Sequence, residues 1–305
     1  MELVSIVTAN YNGSRYLAQA IESVLRQSHE HFEHIIVDDG STDGSRQIID
    51  DYCARDSRIK AIYLPSNRGV AAARNEGIAQ SAGAFLTFLD ADDTWDREKI
   101  RKQVAVFHEK PEAGLVVTDA SLIDEHGRPR NARKRRKQSK QGRISLLDYL
   151  SGKCLLSINA MTRRECLDAC GHFNPNYVIG EDYELWMRIT REYEYYFLNE
   201  ALHHYRIHGD NATRDKLFNR ESKIKILEEM IAKSPQLVAE LGRGFQTILQ
   251  RKYNSLGKAY YLAGRHTDAA ICFEKALELN GNLLQQMKAR LWQTLLRGAR
   301  SRTAV

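Results

Sequence analysis

Four groups of side chains in this 305-residue chain have types and spacings suited to chemistry. The sharpest is Phe88-Leu89-Asp90-Ala91-Asp92-Asp93, where carboxylates follow an apolar run directly. Carboxylates held close repel unless a cation or hydrogen-bond donors compensate, and a Mg2+ or Mn2+ shared with substrate phosphates is the usual solution. Asp38 and Asp39 also end an apolar run, ahead of Gly40-Ser41-Thr42-Asp43. Such a pair either bonds a base imide or ribose hydroxyls, or caps the next helix. Arg68 and Arg74 flank Ala71-Ala72-Ala73. They are either diphosphate ligands through charge-assisted bonds or solvated surface arginines. Glu181 and Asp182 precede the spacing Leu185, Trp186, Ile189, which puts two acids at a helix start. By position alone, both suit the helix dipole.

These groups need a frame. Short apolar runs at 3–8, 33–37, 59–64, 84–89 and 115–118 read as strands. Helical periodicity fills 14–26, 45–55, 70–80 and 96–109. Strand alternating with helix implies right-handed crossovers and a mostly parallel sheet covered by helices. Ligands collect beyond the carboxyl ends of such strands, where these acids and Tyr11 fall. Tyr11 precedes an Asn-Gly turn, and either stacks on a base or packs.

In order along the chain, VSIVTANYN, IIVDDGSTDGS, NRGVAAARNEGI, AGAFLTFLDADDTW and GEDYELW resemble family 2 glycosyltransferases, over about 1–213. The resemblance implies the GT-A fold, a Rossmann-like α/β architecture. It implies that Thr8, Ala9 and Tyr11 surround the nucleotide base and that Asp38 bonds it, with Asp39 beside it and Arg68 near the nucleotide. Asp90, Ala91 and Asp92 become the DxD motif, which touches ribose and holds a divalent cation, Mn2+ or Mg2+, on the diphosphate. Asp182 becomes the base, with Glu181 as its rival. The stretch LHHYRIHGDNA resembles the family's YRxH segment, and His208 is either a further metal or diphosphate ligand or a structural histidine. His203 and His204 are expected to be structural.

The formal charge of +6 is uneven. Residues 128–143 hold nine basic side chains and no acid, and the rest of the chain balances near neutrality on the acidic side. Basic faces throughout, as a nucleic-acid binder needs, are therefore not expected. With no interleaved aromatics, the basic run is either a solvated loop or a patch for an anionic acceptor or anionic lipid. The five cysteines are scattered without metal-ligand spacing and read as reduced thiols. No apolar run suits a membrane span, and the N-terminus lacks a basic n-region and a cleavage site. A cytoplasmic protein, peripheral at most at the inner face of the membrane, is expected.

From 214 to 305 helical periodicity dominates. Within 250–283, the residues Leu256, Gly257, Tyr260, Ala269, Phe273 and Ala276 resemble a tetratricopeptide repeat, with neighbouring helices expected at 214–233 and 283–297. Such a tail is a surface for a protein partner or self-association. The last helix is either a cap or a basic membrane-surface helix.

Taken together, the residues and the resemblance predict an inverting, metal-dependent hexosyltransferase. It moves one sugar from a nucleotide sugar, UDP-linked by expectation, to a hydroxyl of a glycan or lipid-linked acceptor in bacterial surface polysaccharide synthesis. The chain lacks the QxxRW motif of processive synthases. A non-catalytic nucleotide-binding scaffold is the rival, and the intact acidic set argues against it.

Overall fold

Apolar runs between helical segments build one eight-stranded sheet. The structure is a computed structural model and describes residues 2–130, 142–154, 157–209, 211 and 215–302, with side chains to 296. Two compact units, Met1–Asn211 and Ala212–Val305, divide the chain.

In the first unit, β1 (Val4–Asn10), β2 (Phe32–Asp38), β3 (Ile59–Tyr63) and β4 (Phe85–Phe88) alternate with α1 (Ser14–Leu25), α2 (Ser45–Arg55) and α3 (Val70–Gln80). β1 pairs with β2 and β4, and β2 with β3, all parallel. Every residue of β2 is buried, as expected of a strand covered on both faces. The small residues of α3 serve close approach: a Cβ on Gly77 would lie 2.4 Å from Val7.

Then follow β5 (Thr94–Trp95), α4 (Lys99–Glu109), β6 (Ala113–Ile123), α5 (Leu146–Ser151), β7 (Met161–Arg163), α6 (Arg164–Cys170), α7 (Glu181–Glu192) and β8 (Glu194–Arg206). The sheet order is β3-β2-β1-β4-β7-β6-β8-β5. β7 runs antiparallel to β4 and β6, and β5 antiparallel to β8, so the sheet is mainly but not wholly parallel. The 13-residue β8 opens on an apolar run at 195–198, but Asn199, Glu200, His203 and His204 break up the rest, and its ladder with β6 carries register shifts. Its pairing with β5 sets His203 against Trp95 and brings the YRxH segment to the loop after β4.

In the second unit, α8 (Lys216–Lys233), α9 (Pro235–Leu262), α10 (His266–Glu278) and α11 (Leu283–Arg302) follow in order. Asp215 caps α8 by accepting from the Leu217 and Phe218 amides at 2.9 Å. α9 is interrupted at Gly242, whose φ is 56°. Gly257 is the contact point of α9 and α10: a Cβ there would lie 2.7 Å from the Phe273 ring. Gln250 of α9 donates to the Ala276 and Leu279 carbonyls, satisfying two orphan acceptors at the end of α10. No helix among the described residues is long and apolar enough to cross a membrane. All five cysteines are free thiols. Of the basic run, 131–141 lies outside the described residues.

Candidate active site

The carboxyl end of β4 carries the acidic group. Oxygens of Asp90, Asp92 and Asp93 lie within 4.8 Å of one another. The three are not equivalent. Asp93 is fully buried and already satisfied, with Oδ2 2.8 Å from His203 Nε2 and Oδ1 accepting from the Arg206 amide at 2.7 Å. Asp92 Oδ2 lies 2.8 Å from His208 Nε2 and takes a longer bond from Asn211 at 3.3 Å. Asp90 Oδ1 accepts from Arg74 at 2.6 Å. The side chains of Asp90 and Asp92 remain about a third exposed. One oxygen of each carries no hydrogen bond among the described residues.

Electrostatics mark the same place. Burial, then the charges of Asp93 and Asp90, push the Asp92 carboxyl up to about 6, against the pull of His208. Burial raises Asp93 as well. Crowded, partly desolvated carboxylates with free oxygens suit a hard divalent cation, so the donor set fits Mg2+ or Mn2+. Asp90 and Asp92 are the donors the fold leaves available, with the His208 ring beside them.

Arg74 ties this end of β4 to α7. It is 4% exposed, and its guanidinium donates to Asp90 at 2.6 Å and to Glu181 at 2.5 Å. Burial pulls its pKa down, but attraction to Asp90, Glu181 and Asp182 outweighs that and leaves it raised. The sequence offered Arg74 as a diphosphate ligand or a surface arginine, and the fold makes it neither. A buried guanidinium needs paired carboxylates, and it has them. Glu181 is buried and spent on this pair, so it is poorly placed to take a proton. Asp182, the next residue, is only half-buried. Its carboxylate accepts the Tyr183 amide at 2.6 Å, which fixes it at the start of α7. Trp186, one turn on, is fully buried between Phe88 and Phe173 and anchors the helix.

At the ends of β1 and β2 the outcome is mixed. Asp38, the last residue of β2, is buried and accepts from the Asn10 amide group at 2.8 Å, the Ser41 hydroxyl at 2.5 Å and the Ser41 backbone amide at 3.2 Å. Asp39 is consumed by the chain itself: it accepts the Arg68 and Gly69 amides at 2.7 and 2.9 Å, pinning the loop before α3. Thr8 is fully buried with its hydroxyl 2.9 Å from His34, so it offers no surface to a base. Both faces of β1 are covered, so a side chain such as that of Thr8 is buried whichever way it points. Ala9 is half-buried against Val37 and Ala73. Ala91 packs on the Leu17 and Ile21 cluster. Tyr11 is 51% exposed, and the Arg68 side chain is open to solvent.

Sequence reasoning gave no role to two members of the site. Asp93 is one, although it adjoins the DxD; it is held by His203, a buried histidine in the structural role expected of it. Arg206 is fully buried and donates to the Asp92 carbonyl at 2.7 Å and to Gln19 at 2.8 Å, with its guanidinium 4.7 Å above the Tyr16 ring. The arginine of YRxH was the signal for it.

Comparison with known proteins follows the same lines. The profile of glycosyl transferase family 2 matches residues 5–171, and a tetratricopeptide repeat profile matches 251–283. TuaG of Bacillus subtilis (strain 168), assigned by its name to teichuronic acid biosynthesis, is 33% identical over 216 residues, 70% of this chain and 82% of TuaG. An uncharacterized glycosyltransferase of Nostoc sp. is 31% identical over 85% of this chain and 82% of its own. Among solved structures, S. aureus TarS 1-349 in complex with UDP-GlcNAc aligns with a TM-score of 0.65 at 17% identity, over 97% of this chain and 92% of that one. The mannosyltransferase PcManGT from Pyrobaculum calidifontis, in complex with GDP-Man and Mn2+, aligns with a TM-score of 0.63 at 16% identity, over 97% and 84%. At those identities the likeness shows the GT-A fold. The profile match over more than half the chain and the TuaG alignment make this protein a member of glycosyl transferase family 2.

Proposed function

We propose that the protein is an inverting, cation-dependent glycosyltransferase. It transfers one hexose-type sugar from a UDP-sugar to a hydroxyl of a glycan or lipid-linked acceptor in bacterial surface polysaccharide assembly. The observation that carries this reading is Arg74, whose one guanidinium bonds the candidate cation donor Asp90 and also Glu181, the neighbour of Asp182. A donor diphosphate and an acceptor hydroxyl meet at such a junction.

The residues divide the work. Asp38, Tyr11 and Arg68 take the nucleotide. Asp90, Asp92 and His208 would hold a divalent cation, which would supply Lewis-acid neutralisation of the leaving diphosphate. Asp182 accepts the acceptor hydroxyl proton as its oxygen attacks the anomeric carbon. The new glycosidic bond forms as the bond to the diphosphate oxygen breaks, and nucleoside diphosphate leaves. A single base acting opposite the leaving group inverts the anomeric carbon. TuaG's name supports the polysaccharide setting, and the TarS complex with UDP-GlcNAc supports a UDP donor. Nucleotide sugars are made inside cells, which favours the cytoplasmic side.

The test is a donor screen. Release of UDP, GDP and dTDP is measured with manganese, with magnesium and with chelator. UDP release that needs a divalent cation is expected. Turnover that is unaffected by chelator removes the cation from the reading, and GDP release alone replaces the donor.

A further inference from the structure

The last helix has two apolar faces, and only one of them is used. On α11, Ala289 and Leu296 are buried, and Trp292 stacks on Phe273 with ring centroids 6.0 Å apart. On another face, Leu284, Met287, Leu291 and Leu295 are 56%, 59%, 59% and 45% exposed. At about 100° per residue these four fall within about 80° of one another, roughly 130° round the helix from the buried set. Scattered exposed leucines need no explanation, but a continuous stripe over three turns does.

Charge decides what covers it. From 279 to 305 the sequence holds Lys288, Arg290, Arg297, Arg300 and Arg302 and no acidic residue. Lys288 and Arg290 are exposed and flank the stripe, one on each side by the helical period. Across 215–302 the unit carries sixteen Lys or Arg against eight Asp or Glu. A second copy of so basic a unit is repelled, so self-pairing through this face is disfavoured. An apolar stripe edged by lysine and arginine is matched instead by a surface with acyl chains below and negative charge at the top.

We propose that the exposed face of α11 docks on an anionic lipid bilayer surface, with the leucine stripe at the acyl boundary and Lys288 and Arg290 among the headgroups. The inference does not depend on which sugar is transferred. It uses helix residues remote in sequence from the carboxylate site.

The test uses the full chain, sedimented with vesicles of phosphatidylcholine alone or mixed with phosphatidylglycerol. Wild type is expected to pellet with the anionic vesicles, less as salt rises, and to stay largely in solution with phosphatidylcholine. Leu284→Gln/Leu291→Gln/Leu295→Gln should lower the partition coefficient about tenfold or more, and Lys288→Gln/Arg290→Gln several-fold. Both leave the basic run at 128–143 intact, so binding through that run survives in them. Leu291→Trp is a second readout, with emission expected to shift to the blue on anionic vesicles. Unchanged binding of the triple variant, or no shift, overturns the proposal. So does a dimer in lipid-free buffer that the triple variant abolishes, because the stripe then belongs to a second copy.

Discussion

Arg74 and Glu181 stand 107 residues apart in sequence and share a 2.5 Å ion pair, with both side chains almost wholly withdrawn from water. The same guanidinium holds Asp90, so the loop after β4 and the start of α7 are positioned as one piece.

Breaking that pair leaves a buried carboxylate without its cation. Arg74→Gln should cost about 3–5 kcal/mol of stability, as removal of one partner of a buried pair does. Arg74→Gln/Glu181→Gln should recover part of the loss, because the orphaned charge is gone. Denaturant unfolding of the single and double variants measures the coupling. Strictly additive losses would mean that the pair is not the link between the two elements.

The two acids at the start of α7 should separate by their kinetics. Asp182→Asn is expected to lower turnover about 10²- to 10⁴-fold, with donor affinity nearly unchanged. Glu181→Gln should act mainly through stability and donor affinity, since its carboxylate is occupied by Arg74. Near-normal turnover in Asp182→Asn returns the base assignment to Glu181.

Metal affinity should depend on a residue beyond the DxD. His208→Ala should weaken manganese-dependent UDP binding about 10- to 100-fold, because its ring fixes the Asp92 carboxylate. Asp92→Ala should remove the manganese dependence altogether. Calorimetric titration with and without manganese reads both, and equal UDP affinities for wild type and Asp92→Ala would exclude Asp92 as a donor.

His34 predicts an acid-side loss of stability. Full burial lowers its pKa to about 3 from the ordinary 6.5. The folded state therefore resists protonation while the unfolded state accepts it. Stability is complete above about pH 6.5 and is lost as pH falls toward 3, by about 2 kcal/mol at pH 5. His34→Gln should flatten this dependence in unfolding midpoints taken at pH 7 and pH 5, and parallel curves for the two proteins would refute the assignment.

In the helical unit, Gly257→Ala sets two effects against each other. Alanine favours the helix, but its Cβ would sit 2.7 Å from a Phe273 ring that is fully buried and stacked on Trp292. The ring has little room to yield, so a net loss of about 1–2 kcal/mol is expected. A raised melting temperature for that unit would show that Phe273 moves freely.

The sequence alone determined the alternation of β1 to β4 with α1 to α3, because apolar runs and helical periods are local signals. It also located Asp90 and Asp92, since strand-end carboxylates adjoin the run that builds the strand, and its resemblance to a tetratricopeptide repeat identified the helix pair around Gly257. Tertiary structure decided what each charged side chain is for. Asp39 and Arg74 looked like ligands in one dimension, and the fold spends them on the loop at Arg68 and Gly69 and on Glu181. Thr8 sat in a base-binding motif and is sealed beneath it. The second half of β8 has no apolar run, yet its pairing with β5 brings His203, Arg206 and His208 to the carboxylates. The physical reason is the same throughout. Strand and helix periods are written within a dozen residues, whereas the partners of the buried guanidinium groups lie 107 residues away for Arg74 and 187 for Arg206.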